Sequence, residues 1–151
     1  MSRSQLRERV ALRITVAALL LLLSAVAMAD PTVRVAGSHL ELSQPLLFET
    51  HGGTLLPSDA PILDAIAGLL RQRTTMTIEI GAHTDSRGSE AFNLRVTDGV
   101  AQQVRMALIA RGIGAHRLTA IGFGESRPIA DDATEAGREA NRRIELRVVH
   151  P

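Results

Sequence analysis

Cysteine, lysine, tryptophan and tyrosine are absent from the 151 residues, and only three phenylalanines occur. Without cysteine there is no disulfide framework and no lipid anchor through an N-terminal thiol. Without tryptophan or tyrosine there is no aromatic platform on which bases or sugars would stack. The aromatic girdles of a transmembrane barrel are missing as well. Without lysine every side-chain cation is a guanidinium, the group best suited to fixed, two-pronged contacts with carboxylates.

What is present begins with a basic segment carrying Arg3, Arg7, Arg9 and Arg13. An uncharged, leucine-rich run follows and ends at Asp30, with Ala27 and Ala29 at the spacing of a cleavage site. This is the layout of a signal peptide over residues 1–29, with cleavage expected after Ala29; the run is short for a spanning helix, which needs about 20 residues. A chain cut there is expected not to span the membrane. The formal charge of +1 changes with the cut: 17 − 4 = 13 basic residues remain against 16 − 1 = 15 acidic ones, a net of −2. A nucleic-acid partner is therefore not expected. About 120 residues remain, enough for one domain on a hydrophobic core.

Residues 30–45 are punctuated by glycine and proline, with alternation in VRV and HLEL that suits an extra hairpin or edge strand. From 46 to 151 the pattern changes. PLLFET reads as a buried strand closed by a turn at THGG. Ser58, Asp59 and Pro61 open a helix whose apolar stripe is Ile62, Leu63, Ile66, Leu69 and Leu70. TMTIEIGA alternates with Met76, Ile78 and Ile80 on one face. A second helix is predicted from Glu90 to Ala110, with Val96, Val100, Val104 and Leu108 as its stripe and Gly112 as its stop. Gly99 in its middle marks a locally weak or closely approached point, because glycine costs about 1 kcal/mol there relative to alanine. HRLTAIGFG and RRIELRVV are further strands, the last alternating Ile144, Leu146 and Val148 against Arg143, Glu145 and Arg147, with a short helix between them. The order β-α-β-α-β-(α)-β predicts an α/β (α+β) two-layer sandwich with helices on one face of a mixed sheet.

GAHTDSRGSEAFN, residues 81–93, is the polar loop between the second strand and the second helix. His83 and Asp85 form an H-x-D pair, but the five histidines show no metal-binding spacing, so no metal is expected. His83, Asp85 and Ser86 are residue types of a hydrolytic triad, yet neighbours in one turn cannot form its line, and no G-x-S-x-G is present. Neither an enzyme nor a cofactor is expected. Asp85 and Thr84 also suit ordering the turn through side-chain to backbone hydrogen bonds, with Gly88 at a positive φ.

The stretch resembles the C-terminal domain of outer-membrane protein A, a family shared with peptidoglycan-associated lipoprotein and the periplasmic part of flagellar stator B subunits. The G-H-T-D-x-x-G-x-x-x-x-N block is carried by Gly81, His83, Thr84, Asp85, Gly88 and Asn93, with Ala82 where glycine is usual. The G-R-x-x-N-R-R block is complete as Gly137, Arg138, Asn141, Arg142 and Arg143. The resemblance covers roughly Leu46 to Val149. It implies noncovalent attachment to peptidoglycan through the diaminopimelate of the stem peptide, in the periplasm or at the outer membrane. Asp85 would take the ammonium, with Thr84, Gly88 and Asn93 shaping the pocket.

The family's carboxylate-binding arginine belongs at Val100, so half of the implied clamp is missing, and Asp132 stands where asparagine is frequent. Three outcomes follow. Another guanidinium, Arg87, Arg142 or Arg143, substitutes; or diaminopimelate binding is weakened or lost and the domain grips another ligand or an envelope protein; or Val100 joins the apolar stripe and only the scaffold is kept. Rescue from the same helix face is excluded, because the neighbours of Val100 there are Val96, Thr97, Gln103 and Val104. Arg138, Asn141 and Arg142 suit both tying the short helix to the sheet and touching ligand. Thr50 and His51 fall where the first turn would approach it.

Overall fold

A computed structural model describes residues 30–48 and 54–151. The expected signal peptide, Thr50 and His51 lie outside these residues. Among them, five strands form one mixed sheet: β1 (Val33–Ala36), β2 (His39–Leu42), β3 (Thr77–His83), β4 (Leu118–Gly122) and β5 (Arg143–His150), in the order β1-β2-β5-β3-β4. Only β3 and β4 run parallel. Three helices join them: α1 (Ala60–Gln72), α2 (Glu90–Ala110) and α3 (Glu135–Asn141). No helix among the described residues is long and apolar enough to cross a membrane.

The two faces of the sheet follow from alternation. Ile78, Ile80 and Ala82 of β3, Leu118 of β4 and Leu146 of β5 share a core with Ile62, Leu63, Ile66 and Leu70 of α1 and Val100, Ala101, Val104 and Leu108 of α2. The intervening residues carry charge: Arg147 lies directly across from Glu79 and bonds it through two N–H groups at 3.0 and 3.2 Å, and Arg34 lies across from Glu41 and pairs with it. Opposite charges at facing positions support register on a solvated face.

PLLFET departs from its expected strand. Leu46 is buried, but the Leu47 N–H donates to the carboxylate of Asp59 at 3.3 Å, and Phe48 makes one isolated bridge with Leu55. The N–H of Leu56 goes to the same carboxylate at 3.2 Å. A side chain thus takes an N–H that a ladder would use, and the hairpin β1–β2 sits beside β5 instead, joined through His39 and Arg147. Burial raises the pKa of Asp59, and these two N–H groups partly oppose it.

On α2 the buried stripe is Asn93, Thr97, Val100, Ala101, Val104 and Leu108, and Val96 is only partly covered. A strict spacing of four slides by about 40° per step around a helix of 3.6 residues per turn, so Val96 leaves the face that Val104 and Leu108 occupy. Gly99 faces open space, with nothing within 4 Å of an added Cβ, so close approach is not its reason.

Candidate functional site

Because β3 and β4 are parallel, their C-terminal ends meet at one edge of the sheet, and antiparallel β5 begins at that same edge. The loops after β3 and β4, the start of α2 and the end of α3 are therefore brought together. Ser89 caps α2 by accepting the Phe92 N–H, and Thr134 caps α3 by accepting the Gly137 N–H at 3.0 Å. The first turn of α2 is tied to the loops on both sides. Asn93 Nδ2 donates to the Asp85 carbonyl at 3.2 Å and to the Glu125 carboxylate. Thr97 Oγ1 donates to the Asn93 carbonyl and accepts the Gly124 N–H, both at 2.9 Å, and the Gly124 carbonyl accepts the Thr84 N–H at 3.0 Å.

Asp85, 3% exposed, is the centre of this end. Its Oδ1 accepts the backbone N–H of Arg87 at 3.0 Å, and its Oδ2 accepts Arg87 at 3.0 Å and Arg142 at 2.6 Å. Burial alone would raise its pKa, but the hydrogen bonds from Arg87 and Arg142 outweigh it and hold the carboxyl at about 2. Glu135 accepts Arg138 at 2.8 Å and Arg142 at 3.3 Å, and stands 3.9 Å from Arg87. The result is a set of alternating acids and guanidiniums in which each charge is shared.

Above Asp85 lies a pocket of about 300 Å³. The loop contributes Thr84, Asp85, Arg87 and Gly88; α2 contributes Phe92, Asn93 and Val96. Gly88 has φ +104°, and an added Cβ would stand 3.3 Å from Asn93 Oδ1. It serves both the turn and the open space beside Asn93.

Val100 is fully buried in the apolar core and takes no part in the pocket wall. Arg87 and Arg142 are the guanidiniums that reach Asp85. Arg143 is turned away, bonding Glu145 at 2.7 Å and the Arg127 carbonyl at 3.1 Å. Asn141 has no exposed surface, and of the two roles open to it the structure shows the tie between the short helix and its neighbouring loop. Its side chain accepts the Ile129 and Ala130 N–H groups and donates to the Ala130 carbonyl and to Asp132. Arg138 is likewise occupied by Glu135 and the Asp132 carbonyl and lies off the wall. The block beginning at Gly137 is a brace: an added Cβ on Gly137 would stand 1.9 Å from the Asp131 carbonyl oxygen. Asp132 completes it by accepting the Ser86 N–H at 3.1 Å, tying the brace to the Asp85 loop.

His83 and Asp85 have separate surroundings. The His83 ring is buried, stacks on Phe123 with centroids 5.0 Å apart, and has no hydrogen-bond partner on either nitrogen. Desolvation first, then the nearby Arg143, lower its pKa to about 4. Arg127 lies over the Phe123 ring, 3.8 Å from its centroid. Among the described residues no cluster of three His, Cys, Asp or Glu is placed to hold a metal.

Phe92 and Glu135 were not singled out from sequence, and Val96 was read as core. Phe92 carried a signal, an aromatic one residue off the buried stripe at the start of a helix.

The model of the OmpA family matches residues 47–142. Outer membrane porin F of Pseudomonas fluorescens is 38% identical over 101 residues, which are 67% of this chain and 31% of the relative. The peptidoglycan-binding protein ArfA of Mycobacterium tuberculosis is 36% identical over 102 residues, 68% of this chain and 31% of that protein. The chain thus spans less than a third of either relative. The crystal structure of the peptidoglycan-associated lipoprotein from Burkholderia pseudomallei is similar with a TM-score of 0.65 and 27% identity, covering 70% of this chain and 90% of that one.

Proposed function

The chain belongs to the OmpA family, and on that premise we propose that it is an exported, non-enzymatic domain of the periplasm that associates noncovalently with peptidoglycan. The observation that carries this reading is a buried, ionised Asp85 at the base of an open pocket, held by Arg87 and Arg142. The ligand would be the diaminopimelate of a stem peptide. Its ammonium would exchange with Arg87 on Asp85, its methylene chain would lie on Phe92 and Val96, and Arg142 would keep the carboxylate oriented. Arg87 is the residue that moves, since its side chain is 60% exposed whereas that of Arg142 is 17% exposed. The peptidoglycan-binding name of ArfA and the likeness to peptidoglycan-associated lipoprotein support the same class of ligand.

The test is titration of the protein with a diaminopimelate-containing muropeptide, alongside Asp85→Ala. Binding by the wild type and loss of at least tenfold in the variant is expected. Equal binding by both would sink the reading. Export adds a second expectation, that protein recovered from cells begins at Asp30 by mass.

A competing reading is favoured by two observations: both Asp85 oxygens are occupied, and Val100 is sealed in the core. In that case the scaffold is kept as a docking module for an envelope protein. No muropeptide binding by the wild type would select it.

A further inference from the structure

We propose that this pocket reads an ammonium on an aliphatic chain and is nearly indifferent to a carboxylate beside it, so that it accepts stem peptides whose diaminopimelate carboxylate is a carboxamide. This rests on the reading of the pocket as a stem-peptide site and narrows its ligand.

The disposition of the cations points to this selectivity. A pocket selective for a carboxylate needs a guanidinium facing it that is not required elsewhere. Among the described residues the wall offers one cation, Arg87, and it is bonded to Asp85. Arg142 is spent on Asp85 and Glu135, Arg138 on Glu135 and the Asp132 carbonyl, and neither lines the pocket. Among the described residues the wall across from the loop is Phe92, Asn93 and Val96, none of them charged. It suits methylene groups, and Asn93 spends its Nδ2 on Asp85 and Glu125.

What happens to Arg87 when an ammonium takes its place decides the selectivity. Its guanidinium already stands 3.9 Å from Glu135, an acid 61% exposed that Arg138 and Arg142 also bond. Displaced from Asp85, Arg87 therefore has an acid of the protein beside it to share with Arg138 and Arg142, and does not depend on one from the ligand. Any pairing it makes with a ligand carboxylate is an exposed one, worth a factor of about five at most.

The experiment is titration of wild type with three muropeptides identical except at one residue: diaminopimelate, its carboxamide, and diaminopimelate with the side-chain amine acetylated. The first two are expected to bind within about fivefold of each other, and the acetylated one at least tenfold more weakly. A carboxamide weaker by more than fivefold overturns the inference while leaving the stem-peptide reading intact. Failure of all three to bind overturns both.

Arg87→Ala gives an independent arm, since Arg87 is exposed and its loss leaves the fold in place. Tighter binding of the first two ligands by the same factor is expected, because the competitor for Asp85 is gone. Weakening confined to the free carboxylate would mean that Arg87 grips it, and the inference would fail.

Discussion

Arginines serve opposite ends of this sheet in different ways. At the edge where β3 and β4 end, Arg87, Arg138 and Arg142 face Asp85 and Glu135. At the edge where they begin, Arg117 donates to the carbonyls of Met76, Leu70 and Arg73 at 2.6–2.9 Å, and Arg105 donates to those of Leu118 and Ala115. Arg117 closes the end of α1, whose last carbonyls have no helical partners, and Arg105 ties the chain entering β4. The residue type is the same, yet one end is a network of exchangeable charges and the other a set of staples. What a guanidinium faces decides its role: a carboxylate can be shared with an incoming cation, and a helix carbonyl cannot.

The largest effect expected from breaking this arrangement is at Gly137, where an alanine Cβ would collide with the Asp131 carbonyl. Gly137→Ala should destabilise by about 3 kcal/mol and displace the brace behind Asp85, as denaturant unfolding will show. Arg117→Ala comes next, with a loss of about 2 kcal/mol from three abandoned carbonyls and no change in ligand affinity.

Acid should act on the site end in two successive windows. His83 has a folded pKa of about 4 against an ordinary 6.5. The unfolded chain therefore binds its proton first, so stability is full above 6.5 and falls as pH drops toward 4, by about 2–3 kcal/mol. Asp85, at about 2 against 3.8, contributes stability present above 3.8 and lost as pH falls to about 2, by about 2 kcal/mol. Unfolding curves of wild type and His83→Phe between pH 7 and pH 3 will separate the two, the variant being flat in the upper window. The smallest effect is expected at Gly99, which faces open space. Gly99→Ala should stabilise by up to about 1 kcal/mol without touching either end.

The periodic elements were legible because burial imposes their spacing. β3 and α2 follow the pattern of TMTIEIGA and of residues 90–110. The polar Asn93 and Thr97 were hidden from a count of apolar residues, since they are buried to hold Asp85, Gly124 and Glu125 in place. PLLFET misled for a related reason: its apolar side chains pack, but one of its N–H groups goes to Asp59, and composition does not report where a backbone group is satisfied. At the site, Asp85 and three candidate guanidiniums, Arg87, Arg142 and Arg143, were readable from their blocks, and which of the three reach the Asp85 carboxylate was not. Arg142 lies 57 residues from Asp85, and only the antiparallel start of β5 brings them together.

One comparison tests the Asp85 site most directly: muropeptide titration of wild type, Asp85→Ala and Arg117→Ala in parallel at pH 7. Loss of at least tenfold in Asp85→Ala, with Arg117→Ala binding like wild type despite its lower stability, is the predicted result. Equal affinities for wild type and Asp85→Ala, or equal losses in both variants, would contradict it.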